Sequence, residues 1–320
     1  MAADAFSIQF QESPMVTRIE NERQFYNLGT MIYNNASDNS EEVQKALFLW
    51  RKAMKMGSVP AKYSVAMCLK NGVGMKERDI KTAVKYFQEL SETGHKWGMF
   101  GYADALSKGE GTRKDPRKAF ELFLKAAQAN VPPAFFNVAN MYLVGTGTTK
   151  ARFCLVKTCV FRTNWNFLCI AQNEAEGVKW LQKAAEMGDP QAKSTLAQLY
   201  FNGKGGLAED KKKAIALYQQ AAVRGVMTAQ FNLGFLYLTG DGVTQDSLQA
   251  EALFRRAAEQ GFVMAMVNLA QMYRTGYGDV PKDVELAKKW LELAGPHDQN
   301  AKEFLEELNA EEHAGIAPKA

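Results

Sequence analysis

The sequence predicts an all-α fold: a right-handed superhelix of antiparallel helix pairs, an α-solenoid of seven repeats closed by a C-terminal capping helix. Three observations predict it. Equivalent closing positions, Gly57, Gly94, Asn130, Gly188, Gly225, Gly261 and Asp298, are separated by 37, 36, 58, 37, 36 and 37 residues. Small and apolar landmarks recur at fixed places inside each interval. The landmarks are spaced as on helices, and a period of 20–50 residues is the signature of stacked repeats. Composition agrees: the 320 residues are 47% hydrophobic and 23% charged, as in a folded globular chain.

The elements follow in order. Residues 1–21 form an N-terminal segment expected to be partly disordered. Seven repeats occupy 22–57, 58–94, 95–130, 131–188, 189–225, 226–261 and 262–298. The first half of each reads small-x-x-x-Leu-small-x-x-Tyr-x-x-Gly-x-Gly. The sixth repeat shows it fully: Ala229, Leu233, Gly234, Tyr237, Gly240, Gly242. Positions i, i+4, i+5 and i+8 fall on one helical stripe, so this half is helix A. The recurrent Tyr142, Tyr200, Tyr237 and Tyr273 are read as packing residues. The second half begins with Asp79, Asp115, Asp210, Asp246 or Asp283, with Glu42 and Asn173 in the remaining repeats. Asp and Asn cap helix N-termini because a side-chain oxygen accepts an orphan N–H. This half is helix B. The glycine pair between them ends helix A, where φ is positive. A dinucleotide loop would follow a strand and carry a third glycine, so Gly240-Asp241-Gly242 is a turn. Residues 299–309 form the capping helix, with Glu303, Glu306 and Glu307 outward, and 310–320 a disordered tail. The first repeat is the most degraded: Asn35 and Ser37 stand where the glycines belong.

The fourth repeat carries 22 extra residues, Ala151 to Gln172, rich in cysteine and aromatic residues and without an acid. Three readings stand side by side: a gene-model artefact in the form of a translated intron, a structural loop, and a functional basic-aromatic element. As a loop it costs only about 1.2 kcal/mol of closure entropy. Its Cys-x4-Cys-x9-Cys spacing matches no common zinc site.

The repeat pattern resembles the Sel1-like repeat family, a relative of the tetratricopeptide repeat, from about residue 22 to residue 309. "AQFNLGFLYLTGDGVTQDSLQAEALFRRAAEQG" carries the resemblance most fully. The resemblance implies a non-enzymatic scaffold or adaptor that presents a concave helix-A surface to a partner protein or peptide. It further suggests regulatory assemblies, including a regulatory activator subunit of an enzyme complex. Cysteine-rich relatives described as β-lactamase-like offer a hydrolase alternative, but they carry a regular Cys pair in each repeat, which this chain lacks.

No catalytic constellation emerges from the residues, and no cofactor or metal is expected. His95, His297 and His313 sit in turns or the tail, and His95 is read as a plain surface histidine. Cys68 is read as core. A net charge of +4 is small for this length, so no nucleic acid is expected as a partner. No apolar run reaches the roughly 20 residues of a membrane span. The N-terminus lacks a signal-peptide pattern and four cysteines make no disulfide framework, so a cytoplasmic protein is expected. One row of side chains stands out. Asn27, Asn137, Asn232 and Asn268 precede the Leu/Val landmark in four repeats. Asn140, Phe235 and Gln271 lie three places further on, with Gln198 in the fifth repeat. Residues three apart share a helical face. Two readings stay open: a ladder of amides gripping a peptide backbone, or amides that stabilise the stack.

Overall fold

The computed structural model describes residues 10, 16, 20–36, 41–75, 77–145 and 165–313. Every regular element among them is helical, and no strand occurs there. The chain divides into two compact units, residues 1–160 and 161–320. The first contains α1 (Glu22–Asn34), α2 (Glu41–Lys55), α3 (Val59–Asn71), α4 (Ile80–Glu92), α5 (Lys96–Lys108), α6 (Pro116–Gln128) and α7 (Pro132–Val144). The second contains α8 (Trp165–Glu186), α9 (Pro190–Asn202), α10 (Lys211–Val223), α11 (Met227–Thr239), α12 (Ser247–Glu259), α13 (Val263–Thr275), α14 (Val284–Ala294) and α15 (Gln299–His313). Within each unit every helix packs on the next in sequence. Odd numbers are the A helices and even numbers the B helices, and the architecture is an α-solenoid.

The caps work as their sequence implies. Asp79, Asp115, Asp210, Asp246 and Asp283 each accept a backbone N–H three residues on, at 2.9–3.1 Å. Two expected first-turn positions differ. Glu42 lies inside α2, which begins at Glu41, and Asn173 lies inside α8, which begins at Trp165. Eight of the 22 extra residues therefore continue a B helix backwards, and 151–164 lie outside the described residues.

The glycine pair has two separate functions. Gly240 is a left-handed cap at φ 73°, and its N–H returns to Leu236 O at 2.8 Å. Gly242, at φ 78°, touches the preceding repeat: a Cβ there would sit 2.9 Å from Ile215 Cδ1 on α10. The same meeting recurs as Gly74 on Val43, Gly111 on Ile80, Gly205 on Val178 and Gly278 on Ser247. The second glycine is thus the point where one loop lies flush against the helix B before it. Asp241, between the two glycines, pairs with Lys211 Nζ at 2.7 Å. A carboxylate in that place would repel a phosphate.

Alanine brings the helices together. Ala83, Ala103, Ala119, Ala126, Ala214, Ala221, Ala250 and Ala257 are fully buried. Against them sit Phe87, Phe123, Phe135 and Phe254, all at most 2% exposed. A half-buried aromatic two places before the Leu/Val landmark completes the joint in several repeats. Tyr63 lies 6.0 Å from Phe87 and 5.6 Å from the His95 ring; Phe231 lies 5.5 Å from Phe254 and 5.2 Å from Phe262. Each such ring touches its own helix B and the first residue of the next repeat, and so locks two repeats at once.

Candidate functional site: the exposed face of the A helices

The amide row divides in two. Of the residues directly before the landmark, three are turned to structure. Asn137 Nδ2 donates to Pro133 O at 3.0 Å and Asn268 Nδ2 to Met264 O at 2.8 Å, each within its own helix. Asn232 Nδ2 donates to Tyr218 Oη at 3.3 Å, joining α11 to α10. Burial pushes the Tyr218 hydroxyl up to about 12, with the Asn232 contact pulling the other way. Tyr218 is therefore a neutral acceptor for this amide throughout the physiological range. Asn27, on α1, is exposed.

The residues three places further on stand in solvent. Asn140, Gln198 and Gln271 are exposed, and Phe235 is 48% exposed, a large fraction for a phenylalanine. On α7, Asn137 and Asn140 line one shallow groove of about 180 Å³ with Phe123, Met141 and Val144. On α9, α11 and α13 the three residues Gln198, Phe235 and Gln271 occupy one register of three consecutive repeats. The first two of these helices lie side by side: Ser194 Oγ on α9 and Thr228 Oγ1 on α11 are 3.2 Å apart.

Sequence reasoning passed over the third repeat, where the row holds Gly101 and Asp104 instead of amides. Asp104 accepts from Lys70 Nζ of α3 at 2.5 Å and from Lys108 Nζ at 2.9 Å. Burial works against its carboxylate, but the two lysines outweigh that and hold it below the ordinary range. Register alone would have found it. A second correction concerns His95. It is half-buried and caps α5, its Nδ1 accepting the Gly98 N–H at 3.1 Å. Burial and the neighbouring Lys96 lower its pKa, which keeps Nδ1 free to accept. Cys68 is buried, and burial pushes its thiol up to about 11. Tyr200 and Tyr273 are buried, and their hydroxyls meet Lys213, and Glu251 with Arg255. Among the described residues, no helix is long and apolar enough to cross a membrane.

Comparisons with known proteins match this geometry. Over 167 residues, 51% of this chain, it is 28% identical to chitin synthase regulatory factor 3 of Schizosaccharomyces pombe. It covers 16% of that protein. Over 174 residues, again 51% of the chain, it is 32% identical to an exopolysaccharide production negative regulator of Rhizobium leguminosarum bv. viciae, and covers 57% of it. The chain thus spans only part of either relative. A solved Sel1 repeat protein from Oxalobacter formigenes superposes with a TM-score of 0.68 at 23% identity, covering 84% of this chain and 96% of that one. The Sel1 repeat model matches residues 26–58, 59–95, 98–131, 168–189, 190–225, 228–262 and 263–295, and the chain belongs to the Sel1 repeat family.

Proposed function

We propose that the chain is a non-enzymatic regulatory scaffold that binds a segment of a partner protein along the exposed face of its A helices. The observation that carries this reading is the outward register of Gln198, Phe235 and Gln271 on α9, α11 and α13. Two amides flank an exposed aromatic ring. An amide donates and accepts together, so it can hold a peptide backbone whatever the side chains. The ring offers an apolar anchor of the type that dominates binding energies. A surface of three or four repeats could supply the roughly 800 Å² per partner of a standard interface. The partner we favour is a component of a polysaccharide-synthesis system, because both relatives are named as regulators of such systems.

The test pairs two sets of variants. A triple substitution, Gln198→Ala, Phe235→Ala and Gln271→Ala, is expected to weaken capture of a co-expressed polysaccharide synthase subunit at least tenfold. Its unfolding midpoint should stay within a degree or two. Asn232→Ala should lower the midpoint and leave capture per folded molecule unchanged. Undiminished capture by the triple variant would overturn the assignment of the surface. Turnover of a hydrolase substrate by the purified chain would overturn the non-enzymatic reading.

A further inference from the structure

A groove of about 650 Å³ opens between α2 and α4, on the helix-B side of the first two repeats. It owes nothing to the helix-A row. Its floor is apolar: Val65 and Leu69 of α3, with Phe48 on α2 beside them. Its rim is cationic. Arg51, Lys52 and Lys55 all lie on α2, all exposed. Among the described residues, none of the three makes an ion pair with a carboxylate. Lys52 lies over the Phe25 ring at 4.5 Å. The acid on the groove wall, Asp79, is already engaged in capping α4. Hydrogen bonds from Thr82 hold its carboxyl below the ordinary range.

The repeat itself supplies a control. Counting back from each closing glycine, Arg51 is equivalent to Arg255 in the sixth repeat. Arg255 is neutralised: it pairs with Glu251 one turn earlier, and the Tyr273 hydroxyl contacts both. The place of Glu251 is taken in the first repeat by Leu47, which is buried. In the second and fifth repeats the place of Arg51 is taken by the neutral Gln88 and Gln219. Lysines in the last turn of α2 also oppose the negative end of the helix. That accounts for Lys52 and Lys55, but not for Arg51 or for the apolar floor.

We propose that this groove binds an acidic, apolar-anchored segment of a partner protein. Its carboxylates would meet Arg51 and Lys55, and its apolar side chains would lie on Val65 and Leu69. Arginine can meet a carboxylate with two parallel hydrogen bonds, and an exposed positive rim raises the encounter rate with an acidic partner.

The experiment uses the full chain and a fluorescein-labelled amphipathic 15-residue peptide with glutamates and leucines at helical spacing, read by anisotropy. Saturable binding is expected, weakening at least tenfold with Arg51→Glu and Lys55→Glu together. It should also weaken as salt is raised from about 50 mM to 300 mM, because exposed charges are screened. The triple substitution on α9, α11 and α13 should leave it unchanged, which separates this groove from the helix-A surface. Arg51→Gln, the residue type of the second repeat, repeats the test if the double reversal unfolds. The proposal is overturned if no binding is seen, or if the charge-reversed chain binds equally well. It is also overturned if a peptide with every glutamate changed to glutamine binds as tightly. Retention on phosphatidylglycerol vesicles, with no binding of the peptide, would reassign the groove to lipid.

Discussion

The joint between the second and third repeats and the joint between the sixth and seventh share one geometry and differ in chemistry. In the first, Tyr63 lies against Phe87, His95 and Trp97, and Trp97 against Phe100. Rings cover most of that seam. In the second, Phe231 contacts Phe254 and Phe262, and polar groups take over around them. Within the sixth repeat Gln260 Nε2 donates to Gln230 Oε1 at 2.7 Å, and the buried Gln230 reaches back to the fifth repeat, donating to Ala222 O at 3.2 Å. Ser247 Oγ accepts the Asp279 N–H at 2.9 Å. The lesson is that the stack is specified by a few small residues and one ring per helix B. The remaining seam can be filled by stacking or by hydrogen bonding.

The ring common to both joints carries the largest expected effect. Phe87→Ala and Phe254→Ala should each cost about 3–5 kcal/mol, since each empties a fully packed site between two helices. Chemical denaturation checks this, and a cost below about 1 kcal/mol at either site would show that the joints do not share a core. Next comes the loop contact. Gly242→Ala forces a side chain into a left-handed conformation and onto Ile215, and should cost about 1–3 kcal/mol. Gly261→Ala is the control: its φ is +90°, but no atom lies within 4 Å of the added Cβ. It should therefore cost less than Gly242→Ala.

A smaller effect is expected from Gln260→Ala. It leaves the buried Gln230 carbonyl without its partner and should cost about 1–2 kcal/mol. The Gln230→Leu and Gln260→Ala pair should recover part of that loss. An additive result would mean that the two amides do not interact.

The smallest effect is a pH dependence confined to the aromatic joint. Folding lowers the His95 pKa from its ordinary value of 6.5, because burial and Lys96 disfavour the cation. The unfolded chain then binds the extra proton first. Stability is present above pH 6.5 and declines as pH falls toward the lower folded value. Amide protection factors at the start of α5, taken relative to the intrinsic exchange rate at each pH, should fall between pH 7 and pH 5.5, with no comparable change at α13. His95→Asn, which caps without titrating, should remove the difference. An unchanged pH response in that variant would place its origin elsewhere.

The fold was legible because its determinants are short-range and recur. Capping aspartates, C-terminal glycines and an apolar stripe each declare themselves within one helix, and their period multiplies the signal. Asn173 misled because it matches the register of a cap, while the backbone before it is already helical. His95 misled because its ring packs against Tyr63, a residue of the preceding repeat. In sequence the second glycine shows only a turn, because the chain it touches lies some 30 residues away. The candidate surface was legible only as a register. Register identified an asparagine row, but only the fold distinguishes Asn232, tied to Tyr218, from Phe235, which faces solvent. Asp104 occupies the register of that row, but its ion pair with Lys70 of another repeat shows only in the fold.

One feature of the loops bears on how such a chain can vary. In five loops among the described residues the second glycine anchors the loop, and the helix that follows is started afresh by its own aspartate. The stretch between Gly242 and Asp246 therefore joins two independently fixed points. The extra residues of the fourth repeat begin in the corresponding interval, after Gly147. New sequence grafted there should leave the neighbouring modules in place, so recognition segments could be gained or lost without rebuilding the scaffold.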